Sequence, residues 1–251
     1  MRPSTRTAAG RRAQSAKGAA APWRWEIGAR TLWIVPDQAC RVLSWAPLGG
    51  GTRIARLIAN HQVKIDDRVA LRAPRAHLAG VVRAAGHDPR RTVALMTGAE
   101  VARAGYALAA RGGVSVGAWC TAGFSNALRA GDRATVLSTH PGTINLIVMI
   151  SRSLTGAAMA EAVQIATEAR ALAVLEAGIR SVRSGAPATG TGTDCIAIAA
   201  PVRSAAPGRR AEPYCGKHTL LGELIGRAVL ESCARAIRRT RRASVEVKSK
   251  Q

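Results

Sequence analysis

Aromatic side chains make up only 3% of this 251-residue chain: five Trp, two Tyr and one Phe. A fold with so few rings must fill its core with aliphatic side chains and alanine. It also has little to offer as a base-stacking platform for single-stranded nucleic acid. Cysteine is scarce too. Cys40, Cys120, Cys195, Cys215 and Cys233 are odd in number and never approach a C-x-x-C spacing, which argues against a disulfide framework or a zinc ribbon. Free, buried thiols in a reducing cytoplasm are the expected state. The longest apolar run, Ile144 to Ile150, is interrupted by Asn145 and is far short of the roughly 20 residues that a membrane span requires. No G-x-x-x-x-G-K-[ST] loop, no G-x-G-x-x-G opening a helix and no H-E-x-x-H pair occurs, so the usual nucleotide and zinc-hydrolase signatures are missing.

Acidic residues are also few, 15 against 37 Lys and Arg, for a net charge of +22. The excess is uneven. Residues 1–30 and 233–251 each carry seven basic residues and one acid. Basic ends can hold polyanions, but the interior carries no nucleic-acid motif, and nucleic acid is not an expected partner. Residues 1–22 are Arg-, Ser- and Ala-rich, as in an organellar transit peptide, and have no apolar signal core. They are read as a solvated basic tail. The expected organisation is a tail over 1–22, one domain over 23–240 and a second basic tail over 241–251.

Apolar residues are what the chain has in quantity, 47%, enough for a sizeable core. Strands are expected at Thr31–Val35, Arg41–Trp45, His61–Ile65, Val93–Met96, Val114–Trp119, Thr143–Ile150 and Asp194–Val202. Helices are expected from Thr52 through Ile58, over Pro74–Ala85 with Gly86 as its stop, near Glu100–Ala110, over Gly156–Ala177 behind Thr155, and over Leu220–Arg239. Strands and helices mix without strict alternation. The expected class is therefore mixed α and β: a single layered domain with a mixed sheet flanked by helices.

Gly- and Thr-rich segments punctuate the strands. In order they include S-W-A-P-L-G-G-G from Ser44, Asn60-His61-Gln62-Val63, A-L-M-T-G-A around Thr97, G-T-I-N ending at Asn145, A-T-E-A-R around Glu168, A-T-G-T-G-T-D ending at Asp194, and H-T-L-L-G-E-L-I-G from His218. Glycine lets a backbone N–H approach a ligand and threonine adds a hydroxyl. In this order the stretches resemble the adenosylcobinamide amidohydrolase family, collinearly from about residue 41 to 229. The chain departs from the family's usual look at Trp45 and Gly98, where smaller or different small residues are more common.

The resemblance implies hydrolysis of the amide that joins aminopropanol, or its phosphate, to the corrin ring of adenosylcobinamide. The product would be adenosylcobyric acid, for cobalamin salvage. The partner is then a corrinoid small molecule. Its cobalt belongs to the substrate, and neither a further cofactor nor a protein metal is expected. Arg75 replaces the carboxylate of the D-x-H-x-x-G signature by which some corrinoid binders supply a lower ligand, so His77 is read as an ordinary helix residue. Amide cleavage needs a nucleophile, a stabilised oxyanion and a proton for the amine. His218 is the expected acid–base group, with Asp194, Glu223 and Glu168 as its candidate companions. Ser44, Gly50, Asn60, Thr97, Asn145, Thr189, Thr191 and Thr193 are the candidate substrate-binding residues. A non-catalytic corrinoid- or polyanion-binding protein is the alternative reading. It has little use for three ionisable residues inside the motifs.

Overall fold

A computed structural model describes residues 21–64, 66–134, 142–203, 208 and 210–248, with side chains through Ala243. Most of the expected basic tails, residues 1–20 and 249–251, and Ile65 at the end of the expected third strand, lie outside the described residues.

The chain opens with a hairpin, β1 (Trp23–Gly28) and β2 (Thr31–Pro36), followed by β3 (Cys40–Ser44), β4 (Gly51–Ala55) and β5 (Leu57–Gln62). The helix expected from Thr52 is therefore two strands. Ala55 still pairs with Cys40 in one sheet, while Leu57 already pairs with Thr92 in another, so Arg56 is the point where the chain changes sheets. That switch is made by long-range pairing and leaves no local signal. A short helix α1 (Arg68–Arg72) and α2 (Pro74–Ala84) follow. Pro74 supplies the first turn of α2. Its end is a Schellman stop at Gly86, φ +80°, with His87 N–H on the Val82 carbonyl and Gly86 N–H on Arg83.

β6 (Thr92–Thr97) leads to one 3₁₀ turn at Val101–Arg103 and then to β7 (Gly105–Arg111) and β8 (Val114–Ala122). The helix expected near Glu100–Ala110 is thus mainly a strand. Its alanines favour helix in isolation, but Gly112 and Gly113, both at positive φ, form the two-residue turn of a β-hairpin. At Gly105 an added Cβ would lie 2.0 Å from the Ser232 carbonyl, so only glycine allows this strand against the last helix. The remaining elements are β9 (Ala127–Leu128), β10 (Ile144–Ile150), α3 (Gly156–Glu176), β11 (Gly190–Thr191), β12 (Cys195–Pro201) and α4 (Leu220–Lys248). Thr155 caps α3 by accepting from Ala158 N–H, and Gly178 closes it in a second Schellman motif. α4 runs nine residues beyond the expected Arg239, into the segment read as a tail.

The strands divide between two mixed sheets and a β9–β11 ribbon. One sheet has the order β1-β2-β5-β6 and the other β4-β3-β12-β10-β8-β7; only β5–β6 and β10–β12 are parallel pairs. The class expected from the sequence, mixed α/β in layers, is the observed one. The layers number four: α2, the four-stranded sheet, the six-stranded sheet, then α3 with α4. Strand alternation assigns each side chain to a layer. Ile58, Val93, Leu95, Trp119, Ile147, Met149, Ala197 and Val42 fill the space between the sheets. Leu146, Val148, Ile150 and Ile198 face α3 and α4. Leu57, Ala59 and Ala94 face α2.

Candidate active site

At one end of the sandwich the inter-sheet space stops being apolar. One residue beyond Ile147 on the same face of β10 comes Asn145. Its register neighbours are Cys195 on β12 and Thr121 on β8, and Ser44 of β3 lies beside Cys195. From the opposite sheet Asn60 and Thr97 point into the same layer. Asn145 Nδ2 donates to Asn60 Oδ1 at 2.8 Å and to the Met96 carbonyl at 2.9 Å, and Asn60 Nδ2 donates to Thr121 Oγ1 at 2.9 Å. These bonds tie the two sheets together and satisfy most of a buried polar network, as burial demands. Asn145 Oδ1 is buried without a hydrogen-bond partner.

Above this layer lies a cleft of about 220 Å³, lined by Trp45, Pro47, Val63, Leu71, Met96, Thr97, Gly98, Thr143, Thr193, Asp194 and Cys195. Asp194 is its anchor. Oδ1 accepts from Ile144 N–H at 3.0 Å and from the Thr191 hydroxyl; Oδ2 accepts from Thr191 N–H at 2.9 Å and from the Arg170 guanidinium. Its own carbonyl accepts the Trp45 indole N–H at 2.7 Å. The Asp194 and Arg170 side chains are only 8% and 12% exposed. An added Cβ at Gly190 would lie 2.3 Å from Asp194 Oδ2, so glycine is what lets the loop close over the pair. With both oxygens doubly engaged, this carboxylate holds β10, β12, α3 and the Thr/Gly loop in register.

The exchangeable hydroxyls lining the cleft, among the described residues, are those of Thr97, Thr143 and Thr193. Thr193 donates to the Gly142 carbonyl at 2.8 Å and lies 2.9 Å from Thr143 Oγ1. Thr97 Oγ1 accepts from Ala99 N–H at 3.0 Å, which leaves its proton available. Burial pushes the Cys195 thiol up to about 12, so it stays protonated and is a poor nucleophile.

The expected catalytic residues are not brought together. Glu223 bonds to Arg111 at 2.5 Å and to Arg227 at 3.4 Å. Arg111 sits at the β7–β8 turn, beside Val114. Asp194 binds Ile144, whose register partner is Ala122 at the other end of β8. Those ends are roughly 26 Å apart at about 3.3 Å per residue. His218 is exposed in the turn preceding α4, its ring against Gly216. The helix cap is its neighbour: Thr219 Oγ1 accepts from Gly222 N–H at 3.0 Å. Glu168 forms a surface pair with Lys217 at 2.5 Å, and that bond, followed by one from Gln164, holds its carboxyl below the usual range. Arg170, two residues on, lies about 200° around the helix and faces inward. The charged residue of A-T-E-A-R that reaches the site is the arginine.

Of the expected binding residues, Asn60, Asn145, Thr97, Thr191 and Thr193 converge here, and Ser44 lies beside Cys195. Gly50 instead makes a tight turn, where a Cβ would lie 2.6 Å from the Ala46 carbonyl. Thr189 accepts from Ala130 N–H on the β9 side of the ribbon. Arg170, Thr143 and Thr121 are additions. The first two lie inside motifs already singled out, whereas Thr121 lies in a strand with no motif. Among the described residues no group of three or more His, Cys, Asp or Glu is placed to hold a metal, and no helix is long and apolar enough to cross a membrane.

A family model described as adenosylcobinamide amidohydrolase matches residues 23–244. The adenosylcobinamide amidohydrolase of Halobacterium salinarum is 31% identical over 202 residues, covering 78% of this chain and 77% of that protein. The uncharacterised Methanocaldococcus jannaschii protein MJ1613 is 39% identical over 97 residues, covering 38% of this chain and only 36% of that protein. Among solved structures, the Pyrococcus horikoshii PH0078 protein aligns with TM-score 0.46 at 12% identity, over 89% of this chain and 81% of its own. A Burkholderia β-aminopeptidase aligns with TM-score 0.45 at 17% identity, over 82% and 78%. On the extent of the family match and of the Halobacterium alignment, this chain belongs to the adenosylcobinamide amidohydrolase family.

Proposed function

We propose that the chain hydrolyses the amide linking aminopropanol, or its phosphate, to the corrin ring of adenosylcobinamide. The products are adenosylcobyric acid and the free amine, and the reaction serves cobalamin salvage. The carrying observation is convergence. Six of the seven motif stretches, spread from Ser44 to Asp194, meet at one cleft or on the polar layer beneath it. They supply Ser44 and Trp45, Asn60 and Val63, Thr97 and Gly98, Thr143 and Asn145, Arg170, and Thr191 with Thr193 and Asp194.

In this reading the Thr97 hydroxyl, whose proton is uncommitted, donates a hydrogen bond to the charge that develops on the amide oxygen, and the Thr143 and Thr193 oxygens orient the attacking water. Asp194 and Arg170 hold the segments that carry Thr143 and Thr193. The test is incubation of the purified chain with adenosylcobinamide, with and without a chelator, followed by chromatography. A more acidic corrinoid with its cobalt–carbon bond intact, and one equivalent of aminopropanol, is the expected result. No amine after prolonged incubation with excess protein removes the proposal. Loss of turnover with chelator transfers the activation of water to a metal.

A further inference from the structure

The cleft is small for its substrate. At about 220 Å³ it lies below the roughly 300–1,000 Å³ of pockets that enclose a drug-sized ligand, and a corrin macrocycle is several times larger than its aminopropanol arm. The arm fits inside; the ring must lie against the rim. Two large apolar side chains stand there with their surfaces in water. Trp45 is 53% exposed and Leu71 is 42% exposed, and both line the cleft mouth. They come from opposite walls. Trp45 follows β3, and Leu71 sits on α1, whose start is capped by Asp67 accepting from Ala70 N–H at 2.9 Å. The indole is also pinned, because its N–H donates to the Asp194 carbonyl at 2.7 Å. A pinned ring loses little freedom when a ligand covers its face.

We propose that Trp45, with Leu71 opposite, is the platform on which the corrin ring rests while its amide arm enters the cleft. Trp45 is thus a specificity-determining residue that distinguishes a corrin-bearing amide from a small free amide. The proposal rests on the corrinoid reading above. The ring's apolar face covers the indole and the leucine, and its peripheral carboxamides remain in solvent.

Two variants separate the ring face from the hydrogen bond. Trp45→Phe keeps a flat apolar face and loses the N–H; Trp45→Gln keeps a donor and loses the face. Each is assayed for KM and kcat on adenosylcobinamide. Each is also assayed by equilibrium dialysis against adenosylcobyric acid, which carries the ring without the arm and is not turned over. The expected result for Trp45→Gln is an increase of about tenfold in KM and in the dialysis Kd, with kcat within threefold. Trp45→Phe, which keeps a flat face but loses the pin, is expected to raise KM and Kd by less than Trp45→Gln does, and Leu71→Ser weakens Kd in the same direction. Unchanged Kd in Trp45→Gln overturns the platform. So does a kcat loss shared equally by both variants, which would make Trp45 a positioning residue acting through Asp194. If the parent chain releases no aminopropanol yet its Kd depends on Trp45, the platform stands and the hydrolytic reading falls.

Discussion

The two ends of the sandwich differ in kind. At the Ile150 end lies the larger of the two cavities, about 370 Å³, lined by apolar residues such as Trp23, Cys40, Met149 and Ile150 together with Gln38, Arg111, Ser115, Ser151 and Arg152. At the Ile144 end the cleft is smaller, but beneath it the inward positions of five strands turn polar, and Asn145, Asn60 and Thr121 bond to one another. Size alone favours the Ile150 end, yet no residue of the seven motif stretches lines that cavity. Amide chemistry needs placed donors and acceptors, and beneath the cleft they are bonded to one another across the two sheets. The comparison also shows what H-T-L-L-G-E-L-I-G is doing. At its end of the molecule Thr219 caps α4, Leu221, Leu224 and Ile225 enter the core, and Gly222 packs where a Cβ would lie 2.1 Å from the Gly216 carbonyl. The stretch starts a helix that spans the whole layer.

The largest effect is expected from breaking the anchor of the polar end. Removing one partner of a nearly buried ion pair leaves the other uncompensated, at a cost of about 3–5 kcal/mol. Arg170→Met and Asp194→Asn should each lower the unfolding free energy by that order, measured in urea, and abolish turnover. Their double variant should be less destabilised than the sum of the two. Losses below about 1 kcal/mol would mean that the Thr/Gly loop is held without the pair.

Next come the cleft hydroxyls. Thr97→Val removes the free donor and Thr193→Val the oxygen placed to orient water; both keep shape and should lower kcat by about 10²-fold, with the melting temperature of Thr97→Val close to the parent's. If kcat is retained in both, the chemistry lies elsewhere along the cleft.

Much of this was legible before any coordinates. α3 carried its cap at Thr155 and its stop at Gly178 in sequence. Asn60 and Asn145 were legible as candidate binding residues set against apolar stretches, but not that they bond to each other across the two sheets, with Thr121 and the Met96 carbonyl as further partners. What could not be read locally was the assignment of strands to two sheets, because the crossing at Arg56 depends on pairings more than thirty residues away. The helical reading of Glu100–Ala110 failed for a related reason. Alanine's preference for helix yields when a Gly-Gly turn and a packed partner strand favour β7. Arg170 was missed because its neighbour Glu168 looked more chemical, although the helix turns the two to opposite faces.

A smaller effect concerns pH and sharpens the contrast between the cleft layer and the layer under α2. His61 alternates to the α2 side of β5, bonded through Nδ1 to Thr31 Oγ1 at 2.8 Å and facing the His77 ring at 5.3 Å. Burial first, then His77 and Arg30, push its pKa down from 6.5 to about 4, with Asp67 opposing. The unfolded chain therefore binds a proton in this interval that the folded chain does not. Stability from this group is fully present above about pH 6.5 and is lost as pH falls toward 4. The melting temperature should fall across that window, and His61→Gln should flatten the fall. An unchanged slope would assign the acid sensitivity to other groups.

The smallest effect is expected at the end that carries His218, the expected acid–base group. The His218 ring is exposed, and the hydroxyl that closes the first turn of α4 belongs to Thr219. Removing such a cap costs about 1 kcal/mol, whereas an exposed side chain without one costs within about 0.5 kcal/mol. Thr219→Ala should therefore lower the melting temperature measurably, His218→Ala should barely move it, and both should turn over adenosylcobinamide within threefold of the parent. Glu223→Gln, at the Arg111 pair, belongs with them. The decisive measurement is kcat and melting temperature on the same His218→Ala sample. A 10²-fold loss of kcat at an unchanged melting temperature would mean that imidazole does the proton transfer after all. The catalytic centre would then move to the α4 start, and the threonine cleft would be left as a binding surface.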